Sequence, residues 1–170
     1  MYHIKRKNQQ KMDRQKLTKE YLAKFPFSLQ EALTNEKHKK RFLRNTSDDY
    51  VDTTVYRGLH RADEINTDDF LNNVDEAELY NRKHPMENIE NYAISVNEDP
   101  LSLIKSLSIP NIKRPMLGIA KGIMKKECGP ADFRDGKPHH NWFIFQSEIE
   151  TVKNNFIVQS LESYKKEEEK

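Results

Sequence analysis

The chain predicts an α+β domain: a mixed, mainly antiparallel sheet of about five strands with packed helices, preceded by a basic helical arm. Three observations carry this. Short apolar runs recur near 51–59, 92–96, 116–124, 142–145 and 155–161, too short for membrane spans and bounded by turn residues. Segments with helical spacing and recognisable starts lie between them. Cations also crowd the front of the chain. Residues 1–50 hold 13 Lys and Arg against 6 Asp and Glu, a net of +7, whereas residues 51–170 hold 16 against 21, a net of −5. The domain reading is therefore an arm over 1–50, an α+β body over 51–164 and a charged tail over 165–170.

Composition bounds the rest. A length of 170 residues supports one domain. Hydrophobic residues at 35% against 33% charged, with a mean hydropathy of −0.95, allow only a modest core. The 9% aromatic content argues against full disorder, since disordered chains lack bulky groups to bury. No apolar stretch approaches the roughly 20 residues of a membrane helix. The basic start, Met1 to Lys7, lacks the apolar segment of a secretory signal. The single cysteine, Cys128, excludes an intrachain disulfide and suits a reducing compartment, so no disulfide-linked partner is expected. The expected location is the cytoplasm, with no membrane partner.

Taken in order, residues 1–16 read as polar and frayed or weakly helical. Thr18 opens a short helix through Tyr21 and Leu22, stopped at Phe25-Pro26 because proline disfavours helical geometry in the residue before it. Ser28-Leu29-Gln30-Glu31 reads as a capping box starting a helix to about Arg44. Asn45 to Asp52 is a loop, and Val51 to Leu59 a strand carrying Arg57 and Gly58. Ala62 to Tyr80 holds two helical pieces, with Thr67-Asp68-Asp69 as acidic first-turn residues. Asn81 to Asn91 is a polar loop around His84-Pro85.

Tyr92 to Val96 is a strand carrying Ser95. Asp99-Pro100 is a sharp helix start, with Leu101, Ile104 and Leu107 toward the sheet and Pro110 as the stop. Met116 to Met124 alternates a bulky face with a small one of Gly118, Ala120 and Gly122, which leaves room for close packing by Trp142, by another backbone or by a ligand, with Trp142 the favoured filler. Cys128 to Pro138 is a turn-rich loop. Trp142 to Phe145 is a strand, Glu148 to Lys153 a helical turn, and Asn155 to Leu161 the last strand.

Two candidate regions follow. Lys37, Lys39, Lys40, Arg41 and Arg44 could contact a phosphate backbone or an acidic protein partner, or simply complement a helix dipole. The second region combines Tyr56-Arg57-Gly58 with Pro138-His139-His140-Asn141-Trp142. His139 and His140 point to opposite faces of a strand, so at most one enters any given pocket. Because histidine titrates near neutrality, His140 beside Arg57 would serve as a general acid or base, or it would satisfy buried carbonyls. With His60, His84 and Cys128 the spacings match no zinc site, and no metal is expected. Cys128, beside Gly129-Pro130, reads as an inert thiol.

The order Tyr56-Arg57-Gly58-Leu59, Asp69-Phe70, Ser95-Val96 and His139-His140-Asn141-Trp142 resembles an uncharacterised family of small bacterial proteins often encoded on mobile elements. The resemblance spans roughly 55–161, leaves the basic arm outside and implies no activity. The succession of Arg57, Ser95 and Glu148-Ile149-Glu150 is more remotely similar to the arginine–serine–glutamate layout of ADP-ribosyltransferases. That similarity implies NAD as a cofactor, with Arg57 on its phosphates, Ser95 on the nicotinamide ribose and Glu148 or Glu150 beside the developing charge. The usual Ser-Thr-Ser is reduced here to Ile94-Ser95-Val96. The function expected from the sequence is a small binding or accessory protein, with an NAD-using transferase or a nucleic-acid binder as alternatives.

Overall fold

A computed structural model describes residues 12–83, 86–107, 116–133 and 136–168. The helices are α1 (Lys19–Leu22), α2 (Phe27–Ala32), α3 (Glu36–Asn45), α4 (Asn73–Leu79), α5 (Pro100–Leu107), α6 (Ile149–Asn154) and α7 (Leu161–Glu168). The strands are β1 (Thr46–Ser47), β2 (Thr53–Leu59), β3 (Ile94–Asn97), β4 (Gly118–Met124), β5 (Ala131–Phe133), β6 (His139–Trp142) and β7 (Ile157–Gln159). They form one sheet in the order β1-β5-β6-β3-β2-β4-β7, and each of these pairings is antiparallel. The α+β class therefore holds. Among the described residues the sheet has seven strands rather than about five, and its pairings are antiparallel rather than mixed.

The two additional strands, β1 and β5, come from segments that read as loops. They pair with each other through Thr46↔Asp132 and Ser47↔Ala131. Two or three residues are too few to show a period, so only their partners define them.

The longest ladder joins β2 to β4, from Thr53↔Met124 to Leu59↔Gly118. Alternation along it puts Val55, Arg57 and Leu59 on the same face as Ala120, Gly122 and Met124. Ile94, Val96 and Trp142 join that face. Phe70, α6 residues Ile149 and Val152, and Phe156 close a core over it. A Cβ on Gly122 would lie 2.4 Å from the Phe156 ring, so Phe156, and not Trp142, occupies the space this glycine leaves. A Cβ on Gly118 would instead meet the carbonyl oxygen of Arg61 at 2.5 Å. Trp142 packs in the same core and donates its indole N–H to the carbonyl of Gly129 at 3.2 Å; the Tyr50 hydroxyl donates to the same oxygen at 2.7 Å. Gly129 adopts φ 147°, and a Cβ there would meet the Phe143 carbonyl oxygen at 2.0 Å, so this corner requires glycine.

A second core forms where Leu29 of α2, Phe42 of α3 and the flanking Phe25 and Leu33 meet Val74, Ile89, Tyr92, Phe143 and Phe145. Phe42 and Phe143 pack edge to face at 4.9 Å. The backbone N–H of Met12 donates to Thr46 O, and β1 adds to the sheet as an edge strand beside β5. Residues 12–50 are thus packed on the body through an apolar interface.

Local starts agree with the sequence at two helices and depart at a third. Thr18 caps α1 by accepting from Tyr21 N, and Asp99 accepts from Leu101 N and from the Ser102 hydroxyl at the start of α5. The capping box at Ser28 is absent. Pro26 stands at the N-cap of α2 and makes no side-chain cap bond, which places Ser28 inside the helix, and α2 ends at Ala32. Asn35 then starts α3 by accepting from Lys37 N at 2.9 Å and from His38 N at 3.3 Å. One long helix becomes two because the Asn35 cap satisfies a fresh set of orphan N–H groups.

The tail expected at 165–170 is helical through Glu168, as the end of α7. The stop at Pro110 and the loop centre at His84-Pro85 lie outside the described residues. No helix among the described residues is long and apolar enough to cross a membrane.

Candidate functional site

Arg57 leaves β2 on the core face and is only 6% exposed. Its Nε donates to the carbonyl of Asp69 at 2.9 Å and its Nη1 to the carbonyl of Ser95 at 3.0 Å. β2 meets β3 at a single bridged pair, Tyr56↔Asn97. The guanidinium spans the gap where the strands separate and satisfies carbonyls there. Burial pulls its pKa below the ordinary value, and the nearby charges of Glu76 and Asp69 oppose that pull.

A polar knot surrounds Arg57. Asp69 is fully buried; its carboxylate accepts from His60 N at 3.0 Å and from Asn66 N at 2.8 Å, closing a capping box over the turn Thr67–Phe70. The imidazole of His60 sits 2.5 Å from a Glu76 carboxylate oxygen, and Arg82 lies 3.9 Å from the other. Asp68 accepts from the Tyr80 hydroxyl. Sequence reasoning missed Asp69 and Glu76 as partners of Arg57, and His60 as the partner of Glu76. Thr67-Asp68-Asp69 carried only a helix-start signal, and nothing local ties it to a strand ten residues earlier.

The residues of the transferase layout do not converge. Tyr56↔Asn97 and Ser95↔Asn141 place the Ser95 side chain on the face opposite Arg57. Only the Ser95 carbonyl reaches the guanidinium. Glu148 stands near Cys128, whose Sγ lies 3.9 Å from its carboxylate. Glu150, in the first turn of α6, accepts from the Thr67 hydroxyl at 2.6 Å and pairs with Lys153 at 2.8 Å. Bonding to Lys153 and Thr67 holds its carboxyl below the usual range. Arg57 could fork onto a phosphate only by releasing two carbonyls inside the core.

His140 shares the core face of the sheet with Arg57, but two strand spacings separate their backbones, roughly 10 Å. It is 2% exposed, packs against Phe133 at 4.6 Å and places Nε2 3.1 Å from Glu98. Its neighbour His139 is half-buried on the other face. The pair Arg57 and His140 therefore lines no common open cleft. A cavity of about 10 Å³ between Pro26, Phe70, Asn72, Tyr92, Ile94 and Trp142 is the size of one water. Burial and the charge of Glu148 push the Cys128 thiol up to about 11, outweighing the opposing pull of Lys125. Among the described residues, no group of three His, Cys, Asp or Glu is placed to hold a metal ion.

The basic cluster of α3 resolves into two kinds of cation. At about 100° per residue, Lys37, Lys40, Arg41 and Arg44 fall within an arc of roughly 100° on the side away from buried Phe42. Arg41 is paired with Glu90 at 2.5 Å. Lys39 lies on the opposite side, half-buried, with Glu36 at 3.7 Å. Lys37, Lys40 and Arg44 are exposed, and none of them pairs with an acid among the described residues. The helix is fixed by Phe42 in the second core, by the Arg41 pair, and by His38, whose ring nitrogens lie 3.2 Å from Ala32 O and 3.1 Å from Glu87 O. The three cations thus stand on a rigid support over roughly 10 Å of helix. No protein-family model, curated protein or solved structure matches the chain.

Proposed function

We propose that this is a binding protein that grips the phosphate backbone of a nucleic acid through the outer face of α3. The observation that supports it is the straight strip of Lys37, Lys40 and Arg44, exposed, on one face, and paired with no acid among the described residues while the neighbouring Arg41 is paired. The strip presents no apolar or aromatic anchor. Protein interfaces draw most of their affinity from such anchors, whereas phosphate contacts need cations alone. An enzyme acting through Arg57 lacks comparable support, because that guanidinium is committed to two carbonyls inside the core.

The test is fluorescence anisotropy with labelled nucleic acid at 50 mM salt, comparing wild type with K37A/K40A/R44A. Binding should weaken at least tenfold in the variant, while its melting temperature stays that of wild type. Equal binding by the two proteins, or none by wild type, would overturn the reading.

A further inference from the structure

We infer that the preferred ligand of this surface is duplex rather than single-stranded nucleic acid, an inference that rests on the phosphate-binding reading above. Proteins that hold single strands combine cations with aromatic platforms on which bases stack, usually within a groove. Among the described residues the outer face of α3 offers no ring. The one aromatic of the helix, Phe42, is fully buried, and His38 is turned inward onto two carbonyls. The exposed aromatics among the described residues, Phe27 and Tyr80, lie on other elements, and Tyr80 is covered by the guanidinium of Arg82 at 5.7 Å.

A surface of cations without stacking draws its affinity from releasing condensed counterions. That release is larger on a duplex, where both strands contribute charge: about 0.9 ions per neutralised phosphate against about 0.7 on a single strand. The strip supplies three such contacts. Its salt dependence, plotted as log K against log salt, should have a slope of about −3 on duplex and about −2 on single strands.

The experiment titrates wild type, K37A/K40A/R44A and the charge-matched control K83A/K121A/K137A with a labelled duplex and with each separated strand, from 50 to 200 mM salt. Three outcomes together support the inference: tighter duplex binding at every salt, a duplex slope near −3, and loss of that slope in the α3 variant but not in the control. Equal or tighter binding of the separated strands, still sensitive to the α3 variant, overturns the duplex preference and leaves the phosphate-binding reading standing. Failure of wild type to bind either form overturns both. So does equal binding of polyglutamate with the same sensitivity, which would assign the strip to an acidic protein.

Discussion

Two cationic regions of this molecule differ in what their charge is spent on. Under the sheet, Arg57 is enclosed by Asp69, Glu76 and the Ser95 carbonyl, and its donors hold two separating strands to the turn beneath them. On α3, Lys37, Lys40 and Arg44 are exposed and pair with no acid among the described residues. In the first arrangement the cation is buried with its donors on two carbonyls; in the second the cations are exposed to solvent. Among cations of equal formal charge, availability separates a binding surface from a structural tie, and burial with satisfied donors removes availability.

The comparison breaks most visibly at Arg57. Arg57→Met should cost about 3–5 kcal/mol in urea unfolding, because it strands buried acidic groups and leaves carbonyls unsatisfied. Arg57→Lys should recover only part of that, since an ammonium lacks the planar fork. A loss below 1 kcal/mol for Arg57→Met would show that Arg57 is not a tie. A smaller effect is expected at Asp69→Ala, about 1–3 kcal/mol, from two orphaned backbone N–H groups at His60 and Asn66.

Smaller again is a pH effect from buried neutral groups. The Cys128 thiol is pushed up to about 11 from an ordinary value of 9.0, and burial likewise raises Tyr21 and Tyr50 above their ordinary value of 10.0. The unfolded chain releases these protons first. From about pH 9 upward it therefore binds fewer protons than the folded chain, and stability falls as pH rises. Urea midpoints at pH 8, 9 and 10 should decline, and Cys128→Ala should flatten the first part of that decline. Midpoints independent of pH would remove the assignment of a buried protonated thiol. The smallest effect belongs to K37A/K40A/R44A, within about 0.5 kcal/mol of wild type, as for surface changes away from any tie. A larger loss would show that the strip also serves the fold.

Much of the scaffold was legible locally. The starts at Thr18 and Asp99 rest on side chains that bond N–H groups two or three residues away. The long ladder of β2 with β4 joins two runs that each read as strands. Ser28-Leu29-Gln30-Glu31 misled because the capping pattern is short-range, and Pro26 with Asn35 set different boundaries. The five α3 cations were visible in sequence. Their division into three exposed, one paired with Glu90 and one half-buried required the fold.

By itself the sequence determined the α+β class, the strands β2, β3, β4 and β7, the caps at α1 and α5, and the basic character of the first fifty residues. These depend on composition and on contacts within a few residues along the chain. The strand expected at 142–145 lies earlier, at His139–Trp142. Tertiary structure decided the two short strands, the filling of the Gly122 gap by Phe156, the committed state of Arg57 and the separation of Ser95 and Glu150 from it. Each depends on register or on partners distant in sequence. A one-residue change of register turns a side chain to the other face of a sheet, and no local pattern fixes which face a distant partner will meet.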